Sequence, residues 1–345
     1  MSILSQRLAL YDAPQKAKAL GVYPYFRAIS SDQDTVVMID GKPVLMFGSN
    51  SYLGLTNHPR IKEGSIKATE KYGTGCAGSR FLNGTLDIHL ELEERLAKLV
   101  GKDEAMVYAT GFTVNSGVIP CLCGREDYLL LDKLNHASII EGSRLSLAKQ
   151  YKYKHNDMES LEKFLKNCDP DKIKLIVSDG VFSMEGDVCE LPEMMKLAKK
   201  YNASVMIDEA HSLGFFGEHG AGVCEHFGMS KDVELIMGTF SKSLATIGGF
   251  IASNKDVINY LRHHSRTFIF SASITPAATG AVLAALDVMQ EETWRPKQLW
   301  ANTNRMISSL RAAGFEMSNT TTPIIPLYVR DNEKTFRLTS MLMQD

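Results

Sequence analysis

Ser204-Val205-Met206-Ile207-Asp208-Glu209-Ala210-His211 is an apolar run that stops abruptly at two acids and an imidazole. It is short, and it follows a helical periodicity over Pro192–Tyr201 that Asn202 closes, so it reads as a strand. The same alternation extends in both directions. Strands are expected at Ala105–Tyr108, Tyr128–Leu131, Lys174–Ser178, Ser204–Asp208, Glu234–Met237, Gly249–Ala252 and Ile324–Val329. Helices are expected at Leu90–Val100, Ser138–Lys149, Ser160–Cys168 and Pro192–Tyr201. Strands alternating with helices predict an α/β fold with a mostly parallel sheet. A length of 345 residues corresponds to about two domains. One large sheet domain is expected first, with a smaller domain beginning near Ala281.

Composition narrows the function. Apolar residues make up 44% and charged residues 23%, close to the globular average, which excludes a disordered or fibrous chain. Thirty-eight Lys and Arg against forty Asp and Glu leave a net charge of −2 with no basic stripe, so nucleic acid is not an expected partner. No run of eighteen apolar residues predicts a membrane span, which leaves only peripheral contact with a membrane open. Met1–Leu20 is interrupted by Arg7, Asp12, Pro14, Lys16 and Lys18 and lacks the order of a secretion signal. The six cysteines are scattered, and Cys121-Leu122-Cys123 is not a zinc-ligand spacing, so no metal is expected. Free thiols point to the cytoplasm.

Three motifs mislead. Gly73-Thr74-Gly75-Cys76-Ala77-Gly78 fits the dinucleotide fingerprint, but a charged helix over Ile61–Tyr72 precedes it where a strand is required. Asp208-Glu209-Ala210-His211 spells a helicase box, yet neither Gly41-Lys42 nor Gly101-Lys102 is followed by Ser or Thr. His263-His264 are adjacent, so on a helix they diverge and suit a shared metal poorly.

Two segments carry chemistry. Ligands of open α/β sheets collect at the carboxyl ends of strands, which is where Asp208 and His211 fall, although Asp208 alone could equally cap a helix. Gly238-Thr239-Phe240-Ser241-Lys242-Ser243 follows a second strand and sets a lysine among hydroxyls and glycines, with no acidic neighbour in sequence. A desolvated lysine is a nucleophile for imine formation. Together they supply what pyridoxal phosphate (PLP) needs: an amine for the aldehyde, a carboxylate for the pyridine nitrogen, and hydroxyls for the phosphate. Thr110-Gly111-Phe112 adds a helix N-terminus for the phosphate, and His136 in Asp132–His136 adds an imidazole that could stack on a flat ring or simply cap a helix.

These residues resemble the α-oxoamine synthase family of fold-type I PLP-dependent enzymes, whose fold is that of aspartate aminotransferase. The resemblance runs from about Tyr23 onward. It is carried by Tyr23-Pro24-Tyr25-Phe26-Arg27, Gly48-Ser49-Asn50-Ser51-Tyr52-Leu53-Gly54, Gly73–Thr85, Tyr108–Asn115, Asp132–Gly142, Asp179–Asp187, Asp208–Gly217, Gly238–Ser243 and Ser265–Pro276. Within the family, the first of these stretches and Gly73–Thr85 resemble most closely the members that condense serine with a long-chain acyl-CoA, such as palmitoyl-CoA, to 3-ketodihydrosphingosine, CoA and carbon dioxide, the first step of sphingolipid synthesis.

The resemblance implies a role for each matching residue. Lys242 forms the imine with PLP and later acts as base, Asp208 pairs with the pyridinium nitrogen, His211 bonds the ring's phenolic oxygen, and His136 stacks on the ring. Gly111, Phe112, Thr239 and Ser241 contact the phosphate, and Ser183 lies near the cofactor. Asn50, with His136, holds the serine carboxylate. Phe270 and Ser271 reach the phosphate of a second subunit in a homodimer with shared active sites. The implied division is an N-terminal arm over 1–45, a large PLP domain over 46–280 and a small α/β domain over 281–345. Family chains continue through an arginine that clamps the carboxylate, so the small domain, ending in a helix read over Glu333–Gln344, is expected to be incomplete. Sister enzymes that use glycine or alanine, and a non-catalytic PLP-binding subunit, are the alternatives.

Overall fold

The computed structural model describes residues 1–343. Its first strands, β1 (Val36–Ile39) and β2 (Lys42–Leu45), form an antiparallel hairpin. Asp40 and Gly41 turn it with φ of 52° and 76°, the paired left-handed conformation that matches strand twist and that Asp-Gly accommodates. The hairpin was not among the expected strands, although its Asp-Gly signal is plain in the sequence.

The main sheet contains β3 (Glu104–Tyr108), β4 (Tyr128–Asp132), β5 (Lys149–Tyr153), β6 (Lys174–Asp179), β7 (Ser204–Asp208), β8 (Leu235–Thr239) and β9 (Gly249–Ser253). Its order is β3-β9-β8-β7-β6-β4-β5. The strands from β5 through β4, β6 and β7 to β8 pair in parallel, and β9 alone runs against its two neighbours. The expected α/β fold with a mostly parallel sheet is present. The carboxyl ends of β3, β4, β6, β7 and β8 therefore meet at one edge, together with the amino end of β9.

Two expectations need correction. The helix read over Ser138–Lys149 spans Ala137–Leu145, after which Ser146 is extended and Lys149 opens β5. Lys149-Gln150-Tyr151-Lys152-Tyr153 is an edge strand with solvated lysines, and charge of that kind mimics a helix face while protecting a sheet edge. Ile324–Val329 is not a strand: only Leu327 pairs there, in a single bridge to Met317. The terminal helix spans Asn332–Leu342, and Gln344, the last residue of the expected one, lies outside the described residues.

Side chains alternate across the sheet, as a strand requires. Val205 and Ile207 of β7, Ile176 of β6, Leu130 of β4 and Ile236 of β8 join the core on one face. Met206, Leu175, Val177, Leu129, Leu131, Leu235 and Met237 join the core on the other, under the helices Gly111–Leu122 and Ala137–Leu145. Counting by twos, Asp179, Asp208 and Thr239 belong to this second face and Asp132 to the first. Both faces are covered, which is why the strands read as continuous apolar runs.

The helix Pro276–Glu291 packs across the helix Pro59–Tyr72 through two glycines. A Cβ on Gly280 would lie 2.4 Å from the Gly64 carbonyl oxygen, and one on Gly64 would lie 2.7 Å from the Gly280 carbonyl oxygen. Backbone cannot yield as a side chain can, so Gly280→Ala is expected to force the helices apart at a cost of about 1–3 kcal/mol. Thermal unfolding, with Tm lowered by several degrees, checks it. The domain boundary expected at residue 281 falls inside the helix Pro276–Glu291, so no linker separates the two parts there.

Candidate active site

The edge where the strands end is hollowed into a cavity of about 280 Å³. Of the site residues expected from the sequence, Lys242, Asp208, His211, His136, Gly111, Phe112, Thr239 and Ser241 line it. They come from four strand ends and two helix starts, and chain folding alone brings them together. The carboxylate of Asp208 and the amine of Lys242 face one ligand-sized space.

Asp208 is held in place from two sides. Its Oδ1 accepts the Ala210 N–H at 2.9 Å, closing the turn after β7, and its Oδ2 accepts from Asn115 Nδ2 at 2.8 Å. Asn115 Nδ2 also donates to Ser138 Oγ at 2.9 Å, which uses both amide protons. His136 Nδ1 already accepts the Ser138 backbone N–H, so the Ser138 hydroxyl 2.8 Å away is the donor of that second contact. One relay thus joins the acid at the cavity wall to the imidazole proposed to stack there. Asn115 Oδ1 is buried without a partner; turning the amide over would set oxygen against the Asp208 carboxylate.

His136 caps a helix and faces the cavity as well. It is the N-cap of the helix Ala137–Leu145, where its Nδ1 accepts the Ser138 N–H at 3.2 Å, and it lines the cavity. Its own backbone N–H donates to Asp179 Oδ2 at 2.8 Å. Asp179 sits at the end of β6 directly beside Asp208 in the parallel register. Burial, and then the neighbouring charge of Asp208, push the Asp179 carboxyl well above its usual range. Asp179→Asn keeps an acceptor for His136 and removes the ionisable group. A carboxyl whose folded pKa is raised stabilises below about pH 4, its unfolded value, and that stability is lost as pH rises toward the folded one. Asp179→Asn is therefore expected to gain stability relative to the parent as pH rises above about 4, measured by urea unfolding at several pH values.

Burial shifts both the amine and the second imidazole. Burial lowers the pKa of Lys242, while Asp208 and Asp179 oppose it, so the neutral nucleophile is easier to reach. Burial, and then the charge of Lys242, bring His211 down to about 3, leaving it a neutral ring. His211 Nδ1 bonds the hydroxyl of Tyr52 at 2.7 Å.

The other end of the cavity suits an anion. Thr110 caps the helix Gly111–Leu122 by accepting the Thr113 N–H, which leaves the first N–H groups, those of Gly111 and Phe112, facing the cavity. Thr239 Oγ1 and Ser241 Oγ lie 3.1 Å apart beside them. A Cβ on Gly111 would stand 2.7 Å from Thr239 Oγ1, so only glycine lets the helix start approach β8 this closely. An amine, an acid, two histidines, a helix N-terminus and hydroxyls around one cavity are a donor set that fits PLP.

Four expected residues lie outside the cavity lining. Asn50 is exposed in the loop before Tyr52, and Ser183 is half-buried in the loop after β6. Phe270 is 78% exposed and Ser271 follows it, past the short helix Arg266–Ile269. Conversely, sequence reasoning missed Asn115, Ser138, Asp179 and Tyr52. A signal existed for Asp179, because the strand-end rule that selected Asp208 applies to it once β6 is carried one residue further.

The sequence model for aminotransferase class I and II matches residues 42–345. The chain belongs to that family. Over all 345 residues it is 60% identical to a serine palmitoyltransferase of Bacteroides thetaiotaomicron, covering 88% of that protein. It is 42% identical over 328 residues, 95% of the chain, to an 8-amino-7-oxononanoate synthase of Thermosipho melanesiensis, covering 84% of that protein. Among solved structures, a serine palmitoyltransferase variant from S. paucimobilis with a bound PLP–myriocin aldimine matches with a TM-score of 0.95 at 34% identity, over 100% of this chain and 87% of that one. The α-oxoamine synthase resemblance and the fold-type I architecture are thereby borne out. Among the described residues no helix is long and apolar enough to cross a membrane.

Proposed function

We propose that this chain is a PLP-dependent acyltransferase that condenses L-serine with a long-chain acyl-CoA such as palmitoyl-CoA. The observation that carries the substrate choice is the identity to serine palmitoyltransferase over the whole chain, well above that to the 8-amino-7-oxononanoate synthase. In the overall reaction a bond forms between the serine α-carbon and the acyl carbonyl carbon. The thioester C–S bond breaks and CoA leaves as the thiol. The serine carboxylate departs as carbon dioxide, and a proton replaces it to give 3-ketodihydrosphingosine.

The cofactor, when bound, supplies an electron sink for the pair released at the serine α-carbon. The chain supplies the rest. Lys242 would hold the aldehyde of the cofactor and would serve as the base for the serine α-proton. Its lowered pKa suits both tasks, and a base tuned in this way contributes roughly 10²–10⁴-fold. Asp208, anchored by Asn115 and Ala210, keeps a proton on the ring nitrogen. His211 would bond the phenolic oxygen, His136 would stack on the ring and bond the serine carboxylate, and Asn50 would help to hold that carboxylate. Gly111, Phe112, Thr239 and Ser241 take the phosphate, and Ser183 stands nearby.

The same reading makes the protein a cytoplasmic homodimer. Phe270, exposed and outside its own chain's cavity, reaches with Ser271 toward the phosphate of the partner subunit. The deciding experiment supplies PLP, palmitoyl-CoA and either serine, glycine or alanine, and identifies the product by mass. The expected result is 3-ketodihydrosphingosine from serine. A product from glycine or alanine alone would assign the chain to a sister activity, and no product from any of them would overturn the enzymatic reading.

A further inference from the structure

We propose that Tyr52 is a positioning residue that fixes the tautomer of His211, so that the ring presents Nε2–H to the cavity. The part that depends on the function proposed above is only what this N–H meets there, the phenolic oxygen of the cofactor.

A neutral imidazole carries one N–H and one bare nitrogen, and the partner of one nitrogen decides the other. His211 is neutral because burial, then the charge of Lys242 and then that of His136, hold its pKa near 3. Its Nδ1 lies 2.7 Å from the Tyr52 hydroxyl. That is the phenol's single hydrogen bond among the described residues, so the phenol proton has no other protein acceptor there. Were Nδ1 the donor, the phenol proton would be left without one in a largely buried site. Burial also raises the Tyr52 pKa well above that of an ordinary phenol, so the hydroxyl keeps its proton. Tyr52 therefore donates, Nδ1 is the bare nitrogen, and the ring proton sits on Nε2. Nε2 bonds no protein atom among the described residues, and His211 lines the cavity.

The phenol is braced for this role. Its ring packs at 4.9 Å on Phe215, whose carbonyl is fastened by the Trp300 indole N–H at 3.1 Å. Its backbone N–H closes a turn onto the Asn50 carbonyl at 2.8 Å. Without the hydroxyl, nothing in this shell prefers one tautomer, and the alternative would set a bare nitrogen against an anionic ligand oxygen. The sequence places the partners 159 positions apart, and only folding reveals the pair.

Nitrogen-15 NMR of the histidine-labelled full chain, with and without PLP, tests the assignment. The expected spectrum of the parent shows His211 with Nε2 protonated and Nδ1 bare in both states, and Tyr52→Phe without PLP shows an average of the two tautomers. In the loaded enzyme, Tyr52→Phe is expected to shift the pH titration of the cofactor absorbance and to lower kcat about tenfold, with KM for serine little changed. Tyr52→Phe keeps the ring on Phe215; should it fail to fold, the parent spectrum still decides. A parent ring protonated on Nδ1, or a Tyr52→Phe spectrum identical to the parent's, overturns the proposal. A chain that binds no PLP but shows the expected tautomer would refute the proposed function and leave this inference standing.

Discussion

Lys242→Ala is expected to give a folded chain that holds PLP without a covalent bond and makes no detectable product. In the proposed mechanism the substitution removes the anchor of the aldehyde and the base for the α-proton together. The base alone is worth roughly 10²–10⁴-fold, and losing the covalent hold adds to that. The measurement is twofold: product by mass from serine and palmitoyl-CoA, and cofactor fixed to the protein by borohydride, located by peptide mapping. Borohydride-fixed cofactor in Lys242→Ala would mean that another amine is the anchor. Folding is checked separately by circular dichroism. Gly111, Phe112, Thr239 and Ser241 remain, so the variant is expected to retain some PLP through the phosphate.

Asp208→Ala is the second large effect. The variant is expected to bind PLP more weakly and to lose at least about 10²-fold in turnover, because the ring nitrogen no longer has an acid to keep it protonated. The damage should also be visible without cofactor. Asn115 Nδ2 loses one acceptor in a site where its Oδ1 is already unpartnered, and a buried unsatisfied polar group costs about 1–3 kcal/mol. Asp179 loses the adjacent charge that helps to raise its pKa, so its carboxyl should titrate lower than in the parent. Turnover equal to the parent's would refute the role of Asp208. A lowered Tm, with the Asp179 titration displaced downward in a carboxyl NMR experiment, would confirm the neighbour relation independently of catalysis.

What the sequence disclosed follows a physical division. Groups at strand ends were legible because apolar runs mark strands and ligands collect at their carboxyl ends: β7, read to the residue, disclosed Asp208 and His211, and β8 disclosed Thr239, Ser241 and Lys242. Ending β6 at Ser178 rather than Asp179 hid the second carboxylate. Asn115 and Ser138 lie within helices, and their roles arise from tertiary contacts with Asp208 and His136 that no local pattern encodes. Tyr52 was quoted within a motif, but its partner is remote in the chain. β5 went unread and its first residue, Lys149, was assigned to a helix end, because a solvated edge strand carries lysines where a buried strand would not. The substrate came from resemblance, since no spacing of residues distinguishes serine from glycine.

The alternation of side chains along β6, β7 and β8 has a consequence for how such a protein can change over time. Asp179, Asp208 and Thr239 share a face only because each stands an even number of steps from the Val177, Met206 and Met237 that anchor its strand. Inserting or deleting a single residue within any of these strands would turn its terminal group through to the far side and empty its corner of the site. Length variation among descendants of this chain should therefore accumulate in the connecting loops, while the strands themselves keep their count.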